Sequence, residues 1–345
     1  MSVREIVRKV QLIGRSTFVV SLPKDWARRV GLGPGALVSL TVEPDGSLRV
    51  IPPSLRAPRK PETKLVISEG MSEGAVIREL MSRYLAGYKL VKIRLPSEVH
   101  GYRRVVRRVI ANKMIGVEVL EDGEQRMVLQ VLVNVEELPV TAVVQRMGQI
   151  ASGMISDSLE GLLRGDSDFL KEVIERDDLV DKLYLYLLRQ LNASIRGFVN
   201  VREIGLRCIE ESIEYAVVGK SIERIADHSQ KIAINSISVL EGGVKIEGGL
   251  SEELEAMASL SKDVFISSVK AFLSRDRRKA LNMLDEVPPK LADAERRFLE
   301  EVSRAAQNAH KYMPLRLIAD SYRRICDYSM DIFEATVDLS LEERC

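Results

Sequence analysis

A helical segment occurs twice in this chain, at an interval of one hundred residues. The first copy begins at Ser221 and the second begins at Ser321. The two copies agree at five positions, which in the first copy are Ser221, Arg224, Ile225, Asp227 and Ser229. An internal repeat of this kind means that one helical unit has been duplicated. We therefore expect two related helical bundles in the C-terminal half of the chain.

Six helices in two sets of three are predicted for that half. Apolar residues recur there at intervals of three and four, a spacing that places them on one face of a helix. Glycine pairs at 242–243 and 248–249 separate the two sets. The predicted helices are Thr141–Leu163, Ser167–Phe198 and Val201–Leu240, then Ser251–Ser274, Arg277–Gln307 and Pro314–Leu341. We accordingly place three-helix bundles at residues 138–241 and 250–345.

A linker and a small α/β domain are predicted to precede the bundles. Prolines are concentrated around residues 53–62, which is typical of an extended linker. Residues 63–137 then alternate between strand and helix patterns, with helices at Ser72–Ala86 and Ser97–Ile110, and end in a hairpin. This arrangement predicts a small α/β sandwich. Its second helix carries four arginines that either contact DNA or, as nearby glutamates favour, face water: Arg103, Arg104, Arg107 and Arg108.

The net charge of +1 over 345 residues conceals a strong asymmetry. Residues 1–60 carry a net charge of +7, whereas residues 141–345 carry a net charge of −7. A basic N-terminal end predicts a polyanionic partner, and an acidic C-terminal half predicts cations or basic partners. With 46% hydrophobic residues, the chain can bury several cores.

Several features of the sequence favour a cytoplasmic protein. The segment Met1 to Lys9 has no apolar signal core, and no stretch approaches 18 uninterrupted apolar residues, so we expect neither export nor insertion in a membrane. Cys208, Cys326 and Cys345 are an odd number and widely spaced, which argues against a disulfide framework. A reducing compartment fits this pattern.

Residues 1–52 are predicted to form a small domain of short strands and turns. Phe18, Val20 and Leu22 alternate with smaller or polar neighbours, and Pro23 ends that strand. About 50 residues give only a thin core for independent folding. We therefore expect this domain to form a homodimer.

Three motifs in this segment resemble those of the AbrB/SpoVT family of swapped-hairpin DNA-binding domains. They are Gly14-Arg15, Val20-x-Leu22-Pro23-Lys24 and Arg28-Arg29-x-Gly31-Leu32. The resemblance covers about residues 3–52 and implies that two chains interleave into one small barrel. By position it implies DNA contacts from Arg8, Lys9, Arg15, Lys24, Arg28 and Arg29. Alternatively, these cations form the solvated face of a dimerisation module.

Two pairs of carboxylates define a candidate metal site in the first bundle. Asp177 and Asp181 are four residues apart, as are Glu223 and Asp227, so each pair shares a helix face. Gathering four carboxylates is costly unless a cation lies among them. Oxygen ligands favour a divalent or trivalent ion such as Mg, Ca, Mn or Fe(III). We expect both pairs on stripes that face other helices, the second stripe comprising Ile209, Ile213, Ala216, Glu223, Asp227 and Ile234.

The surrounding positive charges leave an alternative open at that site. Lys220 and Arg224 lie close enough in sequence to neutralise the carboxylates without any metal. The second repeat departs further from the pattern, since only two of its four equivalent positions are acidic and no metal is expected there. Those positions are Pro289, Asp293, Arg323 and Asp327.

The duplicated three-helix pattern resembles the PhoU family of phosphate-signalling proteins over about residues 143–339. The most specific parts are Glu175-Arg176-Asp177-Asp178-x2-Asp181 and Ile222-Glu223-Arg224-Ile225-Ala226-Asp227-His228. The resemblance implies metal binding by the paired acidic motifs and repression of phosphate uptake through a transporter or its sensor kinase. The predicted fold class is multidomain and mainly α: a swapped-hairpin β-barrel, a small α/β sandwich and two PhoU-like three-helix bundles.

These features support one leading hypothesis and one alternative. The leading hypothesis is a DNA-binding regulator of phosphate uptake that senses through a PhoU-like metal-binding bundle. The alternative is an adaptor that represses a phosphate transporter or kinase by protein contact, with the N-terminal domain serving only for dimerisation. An enzyme is not expected, because the sequence has no glutamate three residues before any histidine and no nucleotide-binding loop.

Overall fold

The computed structural model of the chain describes residues 6–42, 46–52, 61–96, 101–133, 137–305 and 309–341. The chain divides into two compact units, Met1–Lys60 and Pro61–Cys345. Most of the predicted linker, residues 53–60, lies outside the described residues.

The N-terminal unit consists of two hairpins and one short helix. Strands β1 (Val10–Ile13) and β2 (Thr17–Val20) pair antiparallel, with Val10 opposite Val20. Helix α1 (Lys24–Arg29) follows Pro23, and strands β3 (Ser39–Val42) and β4 (Leu48–Ile51) form the second hairpin. Within the described residues the single chain therefore contains the strands of the expected barrel as two separate sheets.

The large apolar side chains of this unit are mostly exposed. Val7, Phe18 and Leu37 are 81%, 75% and 83% exposed, and most of the apolar residues of the four strands are exposed as well. Burying such side chains is the main driving force for folding and association. A single copy of this unit thus lacks the core that its strand pattern requires.

The first part of the larger unit is an α/β domain with a four-stranded sheet in the order β5-β6-β8-β7. Its elements are β5 (Glu62–Val66), α2 (Glu73–Leu85), β6 (Leu90–Arg94), α3 (Tyr102–Lys113), β7 (Val117–Gly123) and β8 (Arg126–Val131). Strands β5 and β6 are parallel, and the other neighbours are antiparallel. The expected N-cap is confirmed, since the Ser72 side chain accepts a hydrogen bond from the Ala75 amide at 3.2 Å.

The arginines of α3 are mostly engaged within this domain. Arg103 and Arg107 both pair with Asp122, and Arg108 pairs with Glu73. Arg104 is exposed. Three of the four arginines are therefore balanced by carboxylates within the domain, one of which is an aspartate of the hairpin.

Six long helices form the rest of the larger unit. They are α4 (Val140–Arg164), α5 (Ser167–Ile195), α6 (Ser212–Glu241), α7 (Gly249–Ser274), α8 (Arg277–Ala305) and α9 (Ala309–Leu339). Asp166 caps α5 and Asp276 caps α8, each by accepting a backbone N–H within 3.0 Å. The repeat is therefore visible in its turns as well as in its helices.

The two three-helix repeats share one hydrophobic core. Buried side chains from both repeats meet along α6 and α9, among them Ile225, Phe272, Tyr322 and Phe333. Each repeat alone would expose this face, so the burial of apolar surface holds the two together.

The start of the third helix corrects one expectation. Helix α6 begins at Ser212, not at Val201, and is preceded by a short 3₁₀ turn at Ile209–Glu211. Gly205 adopts a φ of +88°, and the Ile204 carbonyl accepts a hydrogen bond from the Val140 amide at 3.0 Å. The segment before α6 is thus a turn, and its Ile204 carbonyl is hydrogen-bonded to the first residue of α4.

Two further expectations concern cysteines and membranes. Cys208 takes part in a disulfide bond, whereas Cys326 is a buried free thiol. One disulfide bond is less than the framework that the sequence argues against, but it shows that wide spacing along the chain does not report how closely thiols approach in a fold. Among the described residues, no helix is long and apolar enough to cross a membrane.

Candidate functional site

Helices α5 and α6 are antiparallel, and their register places the two acidic pairs opposite each other. The Gln230 amide donates a hydrogen bond to the Ile174 carbonyl at 3.1 Å. Nearly three turns away, Lys220 Nζ lies 5.3 Å from the centroid of the Tyr184 ring. Between these contacts Asp177 faces Asp227 and Asp181 faces Glu223.

Asp177 is the most perturbed carboxyl group of this acidic cluster, which comprises Asp177, Asp181, Glu223 and Asp227. Burial raises the pKa of Asp177 to about 7, and the negative charges of Asp227, Asp181, Glu223 and Asp178 add to the effect. Its Oδ1 atom is buried and has no hydrogen-bond partner. The four carboxyl groups predicted from sequence are therefore brought together.

Three cationic side chains neutralise the other members of the acidic cluster. Lys220 Nζ lies 2.7 and 2.6 Å from the two carboxylate oxygens of Glu223. Arg224 pairs with Asp227 at 3.4 Å, and Lys113 pairs with Asp181 at 3.0 Å. Lys220 and Arg224 were expected from sequence, whereas Lys113 belongs to the α/β domain and no local spacing could have revealed it.

The carboxylate oxygens of the acidic cluster are chemically suited to a hard cation, but they lie too far apart to coordinate one as they stand. In the part of the chain that the structure describes, no three acidic, histidine or cysteine side chains converge closely enough to hold a metal ion. Carboxylate oxygens are nevertheless the preferred ligands of Mg, Ca and Mn. The unpartnered oxygen of Asp177 is one acceptor that a cation would satisfy.

The expected inward stripe of α6 is corrected by the structure. Ile213 is 63% exposed, and Ile209 and Ile234 are also exposed, so these three positions face outward, whereas Ala216 is partly buried against the core. The buried face of α6 is instead formed by residues such as Tyr215, Ile222 and Ile225. Glu223 and Asp227 lie at the border between the two faces, which leaves the acidic cluster accessible from solvent.

His228 points away from the acidic cluster and toward the second repeat. Its ring lies 5.8 Å from that of Tyr328 on α9, and its Nδ1 atom is buried without a partner. Burial lowers the pKa of His228 to about 4, and the charges of Lys231 and Arg324 contribute. His228 is therefore a neutral packing residue rather than part of the acidic cluster.

The equivalent position in the second repeat is filled by an ion-pair network. Arg323 pairs with Asp327 at 3.0 Å and with Asp320 at 2.7 Å. Arg324 also contacts Asp327 at 3.0 Å. The guanidinium group that replaces the glutamate thus supplies the positive charge from within the protein.

The N-terminal unit presents the second candidate site. All six cations expected to contact DNA are exposed: Arg8, Lys9, Arg15, Lys24, Arg28 and Arg29. In the described part of this unit they are accompanied by one acidic residue, Asp25. This surface is therefore strongly positive.

Asp177 gives the metal-free protein a characteristic pH dependence. Its folded pKa of about 7 exceeds its ordinary value of 3.8, so the folded state retains the proton longer and stability falls as pH rises through that interval. We expect Asp177→Asn to raise the free energy of unfolding by about 1–2 kcal/mol at pH 8, discounted for partial exposure, and to change it little at pH 4. Urea titrations in a chelator at both pH values measure this. The lowered pKa of His228 makes stability rise with pH, but it does so equally in the wild type and in the variant. An equal effect of the substitution at the two pH values would contradict the raised pKa of Asp177.

Comparisons with known proteins locate two families on the chain. The PhoU domain family matches residues 144–235, which contain the whole acidic cluster. The family described as antidote-toxin recognition MazE, bacterial antitoxin, matches residues 11–58. Arg15, Lys24, Arg28 and Arg29 lie within that second match, whereas Arg8 and Lys9 precede it.

Curated relatives and a solved structure agree with the first match. A phosphate-specific transport system accessory protein PhoU homolog of Clostridium acetobutylicum is 22% identical over 197 residues, covering 56% of this chain and 87% of the relative. One from Caulobacter vibrioides is 26% identical over 151 residues, covering 42% of this chain and 60% of the relative. The crystal structure of PhoU from Pseudomonas aeruginosa has a TM-score of 0.50 and 19% identity, covering 60% of this chain and 97% of that chain.

The fold and the two matches define a multidomain protein in which a helical body follows a small β-rich unit. More specifically, residues 144–235 are similar to the PhoU domain and residues 11–58 to MazE antitoxins, and the helical body has the fold of PhoU. The remaining α/β domain lies outside both matched segments.

Proposed function

We propose that this chain is a non-catalytic, DNA-binding regulator of phosphate uptake, in which the PhoU-like helical body responds to a bound cation. The exposed positive surface of the N-terminal unit carries this proposal. It belongs to the smaller of the two units into which the chain divides, and the helical body belongs to the other. A separate basic unit is suited to contacting the phosphates of DNA while the helical body binds the signal.

The DNA-binding form is proposed to be a homodimer through the N-terminal unit. The exposed Val7, Phe18 and Leu37 side chains gain free energy when they are buried, and a second copy of the unit supplies an equally apolar surface to bury them against. Dimerisation also doubles the positive charge that is presented to one duplex.

Arg15 provides the single-residue test of DNA binding. We expect Arg15→Ala to weaken binding to DNA from upstream of phosphate-uptake genes about threefold to thirtyfold, and to lower the slope of log affinity against log salt by about 1 per contact. Arg8→Ala should behave similarly. Fluorescence anisotropy at several salt concentrations measures both quantities.

The matched control is Arg164→Ala, which removes an exposed arginine from the helical body. It should leave both the affinity and the salt slope unchanged. If the Arg15 and Arg164 variants titrate identically to the wild type, the N-terminal cations do not contact DNA.

An adaptor is the second candidate function. The curated relatives are accessory proteins of phosphate transport systems, and the N-terminal family is described by recognition of a toxin. On this alternative the chain represses a phosphate transporter or kinase by contact, and its N-terminal unit only dimerises. DNA binding that depends on Arg15 separates the two functions, because the adaptor requires none.

The acidic cluster is proposed to bind a divalent or trivalent cation in a solvent-accessible site. Support comes from the buried, unpartnered oxygen of Asp177 and from its raised pKa, which is due first to burial and then to the negative charges of Asp227, Asp181 and Glu223. Binding requires Lys220 and Arg224 to turn away so that Glu223 and Asp227 can act as ligands. A bound cation would supply the compensating positive charge that the cluster otherwise takes from these side chains.

Asp227 provides the test of the cation site. We expect purified wild-type protein to carry a metal that Asp227→Ala lacks, because loss of one carboxylate both removes a ligand and relieves the surplus charge. Elemental analysis after dialysis measures the content. Asp327→Ala, at the equivalent position of the second repeat, is the matched control and should retain the wild-type content. Equal metal in the wild type and the Asp227 variant contradicts the site.

A further inference from the structure

The disulfide bond of Cys208 has a narrow choice of partners. The chain contains three cysteines, and Cys326 is a free, buried thiol. Burial raises the pKa of Cys326 to about 12, so this residue does not form the thiolate that disulfide exchange requires. Within one chain the remaining cysteine is Cys345, which lies outside the described residues.

The described residues bring the end of α9 close to the turn that contains Cys208. One guanidinium nitrogen of Arg275, Nη1, lies 2.6 Å from Glu211 Oε1 and donates a hydrogen bond to the Leu339 carbonyl at 3.5 Å. Glu211 follows Cys208 by three residues, and Leu339 precedes the cysteine at position 345 by six. Because six extended residues span up to about 20 Å, that cysteine can reach the turn.

A buried carboxylate fixes the turn that contains Cys208. Glu211 is 1% exposed, and its Oε2 atom accepts a hydrogen bond from the Arg207 amide at 3.0 Å. Arg277 adds a neighbouring contact, since its guanidinium group donates a hydrogen bond to the Val337 carbonyl at 2.6 Å. The segment before α6, the turn between α7 and α8 and the end of α9 therefore meet at one junction.

The backbone at Arg275 distinguishes this junction from its counterpart in the first repeat. Gly165 and Arg275 each precede the N-cap aspartate of the next helix. Gly165 has a φ of +70° and Arg275 a φ of +55°, a left-handed conformation that is unfavourable for a residue with a Cβ atom. The second repeat thus keeps an arginine where the first has a glycine, and this arginine joins Glu211 to the end of α9.

We propose that Cys208 and Cys345 of the same chain form a redox-sensitive clasp, which fastens the end of the second repeat beside the start of α6. Its opening consumes a dithiol reductant: the two thiols of the reductant become a disulfide, and Cys208 and Cys345 are each left as a protonated thiol. Closing reverses this exchange with a small-molecule disulfide as the oxidant. Because α6 belongs to the first repeat and α9 to the second, the closed clasp ties the two repeats together. The clasp depends neither on DNA binding nor on a cation at the acidic cluster.

The test uses the full-length protein after treatment with oxidised glutathione. Proteolysis without reductant, followed by mass spectrometry, should give a peptide pair that joins Cys208 to Cys345. The protein that yields this pair should run as a monomer on a non-reducing denaturing gel. A dithiol reductant should then lower the Tm by roughly 3–8 °C, because the closed loop no longer restricts the unfolded chain.

Cys345→Ser is the variant that lacks the clasp without altering the described core. Its Tm should match that of the reduced wild type and should not respond to the reductant. Cys326→Ala is the matched control, since it removes the cysteine that is not part of the clasp, and it should keep the reductant-dependent shift even where its own Tm is lower. A disulfide-linked dimer, a Cys208 thiol that stays free after oxidation, or a wild-type Tm that does not change with reductant would each overturn the clasp.

Discussion

Replacing Arg189 by methionine is expected to lower the free energy of unfolding by about 3 kcal/mol. The side chain is 6% exposed, and its guanidinium group satisfies the buried carbonyls of Tyr84 and Gly87. The Gly87 carbonyl left without this donor costs about 1–3 kcal/mol, whereas the Tyr84 carbonyl loses one of two donors and keeps the Gly87 amide at 3.1 Å. The stacking of the guanidinium on the Tyr84 ring at 4.9 Å is lost as well. Relief of the buried charge offsets part of this loss.

Urea unfolding followed by circular dichroism measures the Arg189 effect, and hydrogen exchange at the end of α2 locates it. The control is Arg196→Met, whose guanidinium lies over the Tyr88 ring at 5.9 Å and is exposed. It should cost under about 1 kcal/mol. Equal destabilisation by the two variants would show that Arg189 has no special role in attaching the α/β domain.

Substitution of Gly87 by alanine is expected to cost about 3 kcal/mol at the same junction. Gly87 has a φ of +86°, which a residue with a Cβ atom adopts at a cost of about 1–2 kcal/mol. The added Cβ would also lie 2.7 Å from the Cβ and 2.8 Å from the Cα of Ala193 on α5. Because a backbone atom is involved, the helix must shift, which adds about 1–3 kcal/mol.

Gly165→Ala separates the two contributions to the Gly87 effect. Gly165 has a similar φ of +70°, but no atom lies within 4 Å of the position of its added Cβ. Thermal and urea unfolding should therefore give a loss of about 1 kcal/mol for this control. Similar losses for the two variants would mean that the contact with α5 contributes nothing.

The helices were largely predictable because their signals are local. Asp166 and Asp276 begin helices as N-caps, and Gly87 ends a helix region with the positive φ that glycine permits. The error at Val201 has a physical reason: Gly205 and a hydrogen bond to α4 stop a pattern that was apolar enough to continue as helix. The sharing of one core by both repeats was not predictable, since periodicity does not identify the partner of each face.

The acidic cluster was predictable in its members but not in its surroundings. The spacing of Asp177, Asp181, Glu223 and Asp227 placed each pair on one helix face, and antiparallel packing brought the pairs together. Lys113 lies 68 residues from Asp181 in the chain, and only the tertiary fold joins them. The orientation of α6 was misjudged, because Ile213 is apolar and still faces solvent.

The central claim is that the N-terminal unit gives the proposed regulator its affinity for DNA. The most direct test compares the full chain with a protein that lacks residues 1–60, a boundary that follows the two compact units. Fluorescence anisotropy with DNA from upstream of phosphate-uptake genes, at several salt concentrations, should give tight, salt-dependent binding for the full chain. We predict that the truncated protein loses at least about a hundredfold in affinity. Binding of the truncated protein as tight as that of the full chain would contradict the account.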